Sequence, residues 1–168
     1  EREVGYLQRM VDHLLALASV ENNANVAPMT PLDLAPLLYD VADGMSETVQ
    51  QAGLALEIDL PDHLPPVDAN PDQMLIMIRN LIDNAIKYSP NGGTITLSAR
   101  ASSTEIEIRV TDTGVGIPAD ALPHIFDRFY RVDTSHARTH GGTGLGLSLV
   151  QAIAQAHHGR IDAESRVG

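Results

Sequence analysis

The chain of 168 residues contains no cysteine and no tryptophan. Without cysteine there is no disulfide framework, no thiolate metal site and no cysteine nucleophile, and the chain suits a reducing compartment. Positive charge is scarce: 11 Lys and Arg against 22 Asp and Glu give a net charge of −11. That balance argues against a nucleic-acid backbone or an anionic membrane surface as partner. Long apolar runs are also missing, since the longest, Leu14 to Val20, falls far short of the roughly 20 residues that span a bilayer. The charged start, Glu1-Arg2-Glu3, leads into a helical pattern and does not read as a signal peptide. What remains is 43% hydrophobic, enough to bury the core of one domain with an appendage.

Residues 1 to 22 read as one amphipathic helix. Val4, Leu7, Val11, Leu14 and Ala18 recur at spacings of three and four, a heptad seam broadened by Met10 and Leu17. Such a stripe pairs with a second helix or folds back on its own domain, and the pattern permits both. Asn22-Asn23-Ala24-Asn25 then breaks the periodicity as a linker. A short strand near Met29 to Leu32 precedes a helix capped by Asp33, with Leu34, Leu37, Leu38, Val41, Met45 and Val49 facing inward. Leu54 to Leu60 alternates with period two, as a half-buried strand does. Asn70-Pro71-Asp72-Gln73 supplies an N-cap, a proline at the first helical position and a glutamine placed for a capping box. That third helix is predicted to reach Tyr88. Two alternating segments, Thr94 to Ala101 and Glu105 to Thr111, read as a hairpin. After a loop-like stretch, a last helix is predicted to His158 with Gly159 as its stop, and Ile161 to Glu164 starts a final strand. Helices on one face of a mixed sheet, an α+β arrangement, follow from this order.

Three glycine and asparagine clusters carry the candidate chemistry. On the third helix Asn80, Asn84 and Lys87/Tyr88 fall at i, i+4 and i+7/i+8 and share one stripe. Asparagine in a helix interior lowers propensity, so the stripe reads as solvated surface or as a site for an oxygen-rich ligand. An amide oxygen suits a hard cation such as Mg²⁺, and a lysine supplies a point charge to phosphate. The second cluster, Asp112-Thr113-Gly114-Val115-Gly116-Ile117-Pro118, is either an ordinary Asp-Gly turn or a place where the backbone closes on a ligand while Asp112 accepts from an exocyclic amine. The third, Gly141-Gly142-Thr143-Gly144-Leu145-Gly146-Leu147, opens the last helix with bare amides, a ready anion site. It lacks the lysine of a P-loop and the spacing of a dinucleotide fingerprint. Between the last two clusters lies Ile125-Phe126-Asp127-Arg128-Phe129-Tyr130-Arg131, holding three of the chain's six aromatics. Those rings read as a core turn or as the anchor of a lid whose arginine reaches a phosphate. Histidines show no metal-ligand spacing.

In order and spacing these segments resemble the N, G1, F and G2 boxes of sensor histidine kinases, members of the GHKL superfamily. The resemblance covers residues 25 to 168 and implies a catalytic ATP-binding domain with a two-layer α/β sandwich of the Bergerat type. Residues 1 to 24 are similar to the second helix of the dimerisation and phosphotransfer domain. The resemblance makes Asn84 the Mg²⁺ ligand, with Asn80 and Lys87 on the phosphate side and Tyr88 beside the adenine. Asp112 would read the adenine amine, and Gly114, Gly116 and Ile117 would shape the base pocket. Gly142, Thr143, Gly144, Leu145, Gly146 and Leu147 would turn amides toward the phosphates. Phe126 and Phe129 would anchor the lid, with Arg128 or Arg131 on phosphate; Arg138 adds a third cation to that loop.

The implied reaction moves the γ-phosphoryl group of ATP to a histidine on an upstream helix, for relay to an aspartate of a response regulator. The implied assembly is a homodimer through the N-terminal helix, cytoplasmic and attached in the parent protein to a sensor, with no nucleic acid. No motif like S-H-E-L-R-T-P-L occurs, and His13 is followed by Leu14-Leu15 with no acidic neighbour, so the acceptor histidine is expected outside this chain. Two rivals stand beside this reading. Gyrase-type relatives place a glutamate where this chain has Asn80, and an amide cannot take a proton from water. A nucleotide-binding regulatory module without chemistry is the other.

Overall fold

A computed structural model describes residues 2–22, 28–132 and 142–167. The chain forms two compact units, one spanning Pro28–Gly116 and the other joining the N-terminal helix to Ile117–Val167.

The first unit is a helical layer on a mixed sheet. Its strands are β1 (Thr30–Leu32), β2 (Ala55–Asp59), β3 (Val67–Ala69), β4 (Thr94–Ala101) and β5 (Ile106–Asp112), and its helices α2 (Leu34–Gln51) and α3 (Pro71–Tyr88). β4 is central, parallel to β2 and antiparallel to β5, while β1 and β3 form a separate antiparallel pair. Ile95, Leu97 and Ala99 of β4 point inward and are buried, the alternation expected of a strand with one covered face. Leu34, Leu38, Val41, Met45 and Val49 of α2 and Met74, Ile78, Ile82 and Ala85 of α3 complete this core. Leu37, placed inward by the sequence pattern, lies at its half-buried margin, as does Leu81.

Helix starts follow the predicted caps. The Asp33 carboxylate accepts from the Ala35 N–H at 3.1 Å, and the Asn70 amide oxygen from the Gln73 N–H at 3.0 Å. Only half of the expected capping box forms: Gln73 Oε1 is buried without a hydrogen-bond partner, because Gln73 turns into the protein instead of back toward Asn70. β3 was not foreseen, since Val67-Asp68-Ala69 follows two prolines and is only three residues long.

The second unit contains α1 (Arg2–Asn22), α4 (Gly146–Ala156) and a 3₁₀ turn at Leu122–His124. Leu17 and Val20 of α1 are buried, and α1 packs on α4. Leu7, Val11, Leu14 and Ala18 of the heptad seam remain exposed. The stripe through Leu17 and Val20 therefore folds back on its own unit, while the seam stripe is open to solvent. α4 ends two residues before His158, which itself adopts the left-handed conformation (φ 57°) while the Gly159 N–H donates to the Ala154 carbonyl at 2.8 Å. This is a Schellman-type stop with histidine in the position glycine usually takes. The segment Ile161–Glu164 is not a strand. No ladder partner pairs with it among the described residues, so its alternation alone does not make a sheet.

Ile78 has no solvent exposure. Replacing it with Ala should lower unfolding stability by about 2–5 kcal/mol, from lost transfer energy plus the cavity left behind, read as a shift of the urea midpoint.

Candidate functional site

α3 presents its polar stripe beside a buried apolar face. The Asn80 Nδ2 donates to the Ile76 carbonyl at 2.8 Å, a bond within its own helix that leaves the amide oxygen available. Asn84 is half-buried, and its amide makes no hydrogen bond among the described residues. Lys87 closes the last turn, where a cation opposes the negative end of the helix dipole. The Tyr88 carbonyl then accepts from the Val115 N–H at 3.1 Å, so the end of α3 is tied to the turn that follows β5.

That turn is built around Asp112 and Gly114. The Gly114 N–H donates to Asp112 Oδ1 at 2.8 Å, the Asx geometry of an Asp-Gly turn. The other carboxylate oxygen has no partner among the described residues. The turn reading is thus realised by one oxygen while the second stays available to a donor. Any side chain at Gly114 would collide with Asp112 Oδ1 and come within 2.7 Å of the Tyr88 carbonyl, so only glycine allows this approach. Gly116 takes φ +74°, open to glycine at no steric cost. The first cluster, residues 80 to 88, and residues 112 to 116 of the second are in this way joined on one unit.

The third cluster and the aromatic segment lie on the other unit. Ile117 begins it, its N–H donating to Ser165 Oγ at 2.8 Å. Phe126 is half-buried and, with Leu17 of α1, Arg128, and Ser148 and Gln151 of α4, lines a cavity of about 250 Å³. Phe129 behaves differently: it is 57% exposed and left-handed at φ 64°. Its N–H donates to the Gly144 carbonyl at 2.8 Å. Gly144 answers with φ +71°, and a Cβ there would stand 2.7 Å from the Phe129 carbonyl carbon. Arg128 and Arg131 are exposed; Arg138 and Gly141 lie outside the described residues.

Gly142 has open space around it, whereas Thr143 and Leu145 are buried. Leu145 takes the N-cap position of α4 without a side-chain cap. The first amides of the helix, at Gly146 and Leu147, therefore have no side-chain acceptor in the cap. The Ser148 hydroxyl donates to the Leu145 carbonyl at 2.9 Å, and Leu147 is half-buried beside it. One contact had no sequence signal: His13 Nδ1 lies 3.2 Å from Thr143 Oγ1 across 130 residues of chain. Ser165 is likewise a partner that no local pattern marks.

Residues 69–168 match the family described as histidine kinase-, DNA gyrase B- and HSP90-like ATPases, and the chain belongs to that family. Within it, the similar proteins are sensor histidine kinases. The signal transduction histidine-protein kinase BaeS of Escherichia coli is 34% identical over 97% of this chain, which spans 35% of that relative. Among solved structures, full-length ShkA in complex with AMPPNP aligns at a TM-score of 0.77 and 29% identity, covering 92% of this chain and 32% of that one. The Acinetobacter baumannii histidine kinase AdeS aligns at 0.71 and 29%, covering 92% of this chain and 70% of that one. The chain spans about a third of the length of its curated relative BaeS. The fold is the α+β fold of their catalytic domains. No described helix is long and apolar enough to cross a membrane.

Gly144→Ala should lower unfolding stability by about 1–3 kcal/mol, because backbone strain and a backbone clash coincide there. Gly142→Ala should change it by less than about 0.5 kcal/mol. Paired urea melts of the two variants check both.

Proposed function

We propose that this chain is the ATP-binding catalytic part of a sensor histidine kinase, presenting the γ-phosphoryl group of ATP to a histidine on an upstream helix. Residues 25 to 168 form the catalytic domain in this reading, and residues 1 to 24 the second helix of the dimerisation and phosphotransfer domain. The single observation that carries it is the tie between the Tyr88 carbonyl and the Val115 N–H, which sets the asparagine stripe and the Asp112 carboxylate at one helix end.

Each group has a chemical task. The open Asp112 oxygen accepts the exocyclic amine of adenine, with Tyr88, Gly114, Gly116 and Ile117 around the base. Guanine offers an acceptor at that position, so it leaves Asp112 unmatched. Asn80, Lys87 and an arginine, Arg128 or Arg131, stand on the phosphate side, where positive charge offsets the −11 of the chain. Residues 142 to 147 offer backbone amides to the phosphate oxygens.

The Asn84 amide, half-buried and without a partner among the described residues, fits a hard cation completed by phosphate and water oxygens. No cluster of three or more acidic, histidine or cysteine residues among the described residues offers a rival metal site. Magnesium bound through Asn84 would neutralise and orient the phosphates. Positioning and charge neutralisation are most of what phosphoryl transfer requires. The Asn80 amide, bonded to the Ile76 carbonyl, has no basic lone pair to take a proton from water. This favours transfer over gyrase-type hydrolysis.

The exposed stripe Leu7, Val11 and Leu14 supports a homodimer through α1, and a response-regulator aspartate receives the phosphoryl group. The supply of ATP sets the domain on the cytoplasmic side, whether or not the parent protein is anchored in a membrane.

Asn84→Ala should abolish magnesium-dependent ATP binding in calorimetry, and unchanged affinity would remove the metal assignment. With the upstream helix supplied and γ-labelled ATP present, acid-labile, base-stable label should appear on a histidine. Steady phosphate release without label supports the gyrase-type rival, and neither product supports a module without chemistry.

A further inference from the structure

We infer that His13 of α1 is a latch on the phosphate-binding glycine loop, an autoinhibitory contact that ATP must displace. The inference rests on the nucleotide reading above and adds to it the regulation of that loop.

The latch is a contact between two parts of the chain far apart in sequence. His13 Nδ1 stands 3.2 Å from Thr143 Oγ1, and the Leu145 N–H donates to the same oxygen at 3.3 Å. A hydroxyl has one proton and two lone pairs. With both neighbours in place, at most one of these three remains, and Thr143 is only 9% exposed. The Leu145 amide is occupied as well. With Nδ1 as the acceptor, the ring takes the Thr143 proton, and a phosphate oxygen reaches that hydroxyl donor only after the ring moves away.

Neighbouring contacts fix the position of the ring. His13, Leu17 and Val20 fall at i, i+4 and i+7 and share one stripe of α1. Leu17 and Val20 are both buried where α1 packs on α4, so the imidazole is held over the loop by apolar packing one and two turns away. On its other side the loop is clamped by the Phe129 N–H donating to the Gly144 carbonyl at 2.8 Å. A rotation or slide of α1 changes which side chain faces Thr143, and so couples the position of this helix to the freedom of the loop.

The test compares wild type with His13→Ala, His13→Gln and His13→Asn in the full 168-residue chain, titrated with ATP in magnesium and, separately, with adenosine. Asparagine carries a polar atom close to the Nδ1 position of histidine, whereas glutamine carries it farther out, so the first keeps the latch and the second releases it. His13→Ala and His13→Gln should bind ATP about three- to tenfold more tightly than wild type, the equilibrium worth of about one hydrogen bond. His13→Asn should match wild type, and adenosine, which has no phosphate, should bind all four alike. His13→Gln reports the release if the alanine variant unfolds, which circular dichroism detects.

ATP affinity that is unchanged or weaker in the released variants overturns the latch and leaves the nucleotide reading intact. A gain that extends equally to adenosine also overturns it. Absence of ATP binding by every protein, wild type included, overturns the nucleotide reading and the latch with it.

Discussion

The close approach of a glycine to a helix C-terminus organises the candidate residues of the first unit. The Tyr88 carbonyl belongs to the last turn of α3, where helix carbonyls lack partners within the helix. It is satisfied by the Val115 N–H, and the chain comes near enough to donate only because Gly114 has no side chain. That one hydrogen bond joins the end of a helix to the end of the sheet's edge strand β5. The candidate side chains Asn84, Lys87 and Asp112 are consequently carried by regular elements anchored in a common core of Ile78, Ile82, Ile95 and Leu97. Sites held by helices and strands are better defined than sites held by loops.

The candidate residues of the second unit follow a different principle. Its amides sit at the start of α4, and the residues around them are under tension. Phe129 is a bulky residue in the left-handed region, opposed by a glycine that is left-handed too. Strain of this kind persists only where surrounding contacts over-determine it, and it concentrates at places that bind or switch. Here the contacts come from both sides of the loop, the Phe129 backbone on one and the His13 imidazole on the other. A helix that resembles part of the phosphotransfer domain therefore touches the loop that resembles the phosphate clamp, within one compact unit.

Much of the first unit was legible before the fold was known. Asp33 and Asn70 cap the helices they were expected to cap, and the alternation from Thr94 to Ala101 is that of β4, with Ile95, Leu97 and Ala99 buried, because local hydrogen bonding and burial period are written in neighbouring residues. The asparagine stripe was legible for the same reason: residues four apart on a helix share a face whatever the helix packs against. Where reading failed, a distant partner was involved. Gln73 turned inward instead of closing its box, and Ile161–Glu164 alternates without finding a strand to pair with.

The sequence by itself determined the helices α1 to α4, the strands β1, β2, β4 and β5, the inward faces of α2 and α3, and which amide, carboxylate and glycine residues are offered as a set, since all of these rest on spacing along the chain. Tertiary structure alone decided that one Asp112 oxygen serves the turn while the other stays open, that Phe129 points outward, and that His13 meets Thr143. Each of those outcomes depends on atoms that come within hydrogen-bonding or van der Waals range only after packing, and hydrogen bonds act over about 3 Å, a distance no spacing in the sequence records.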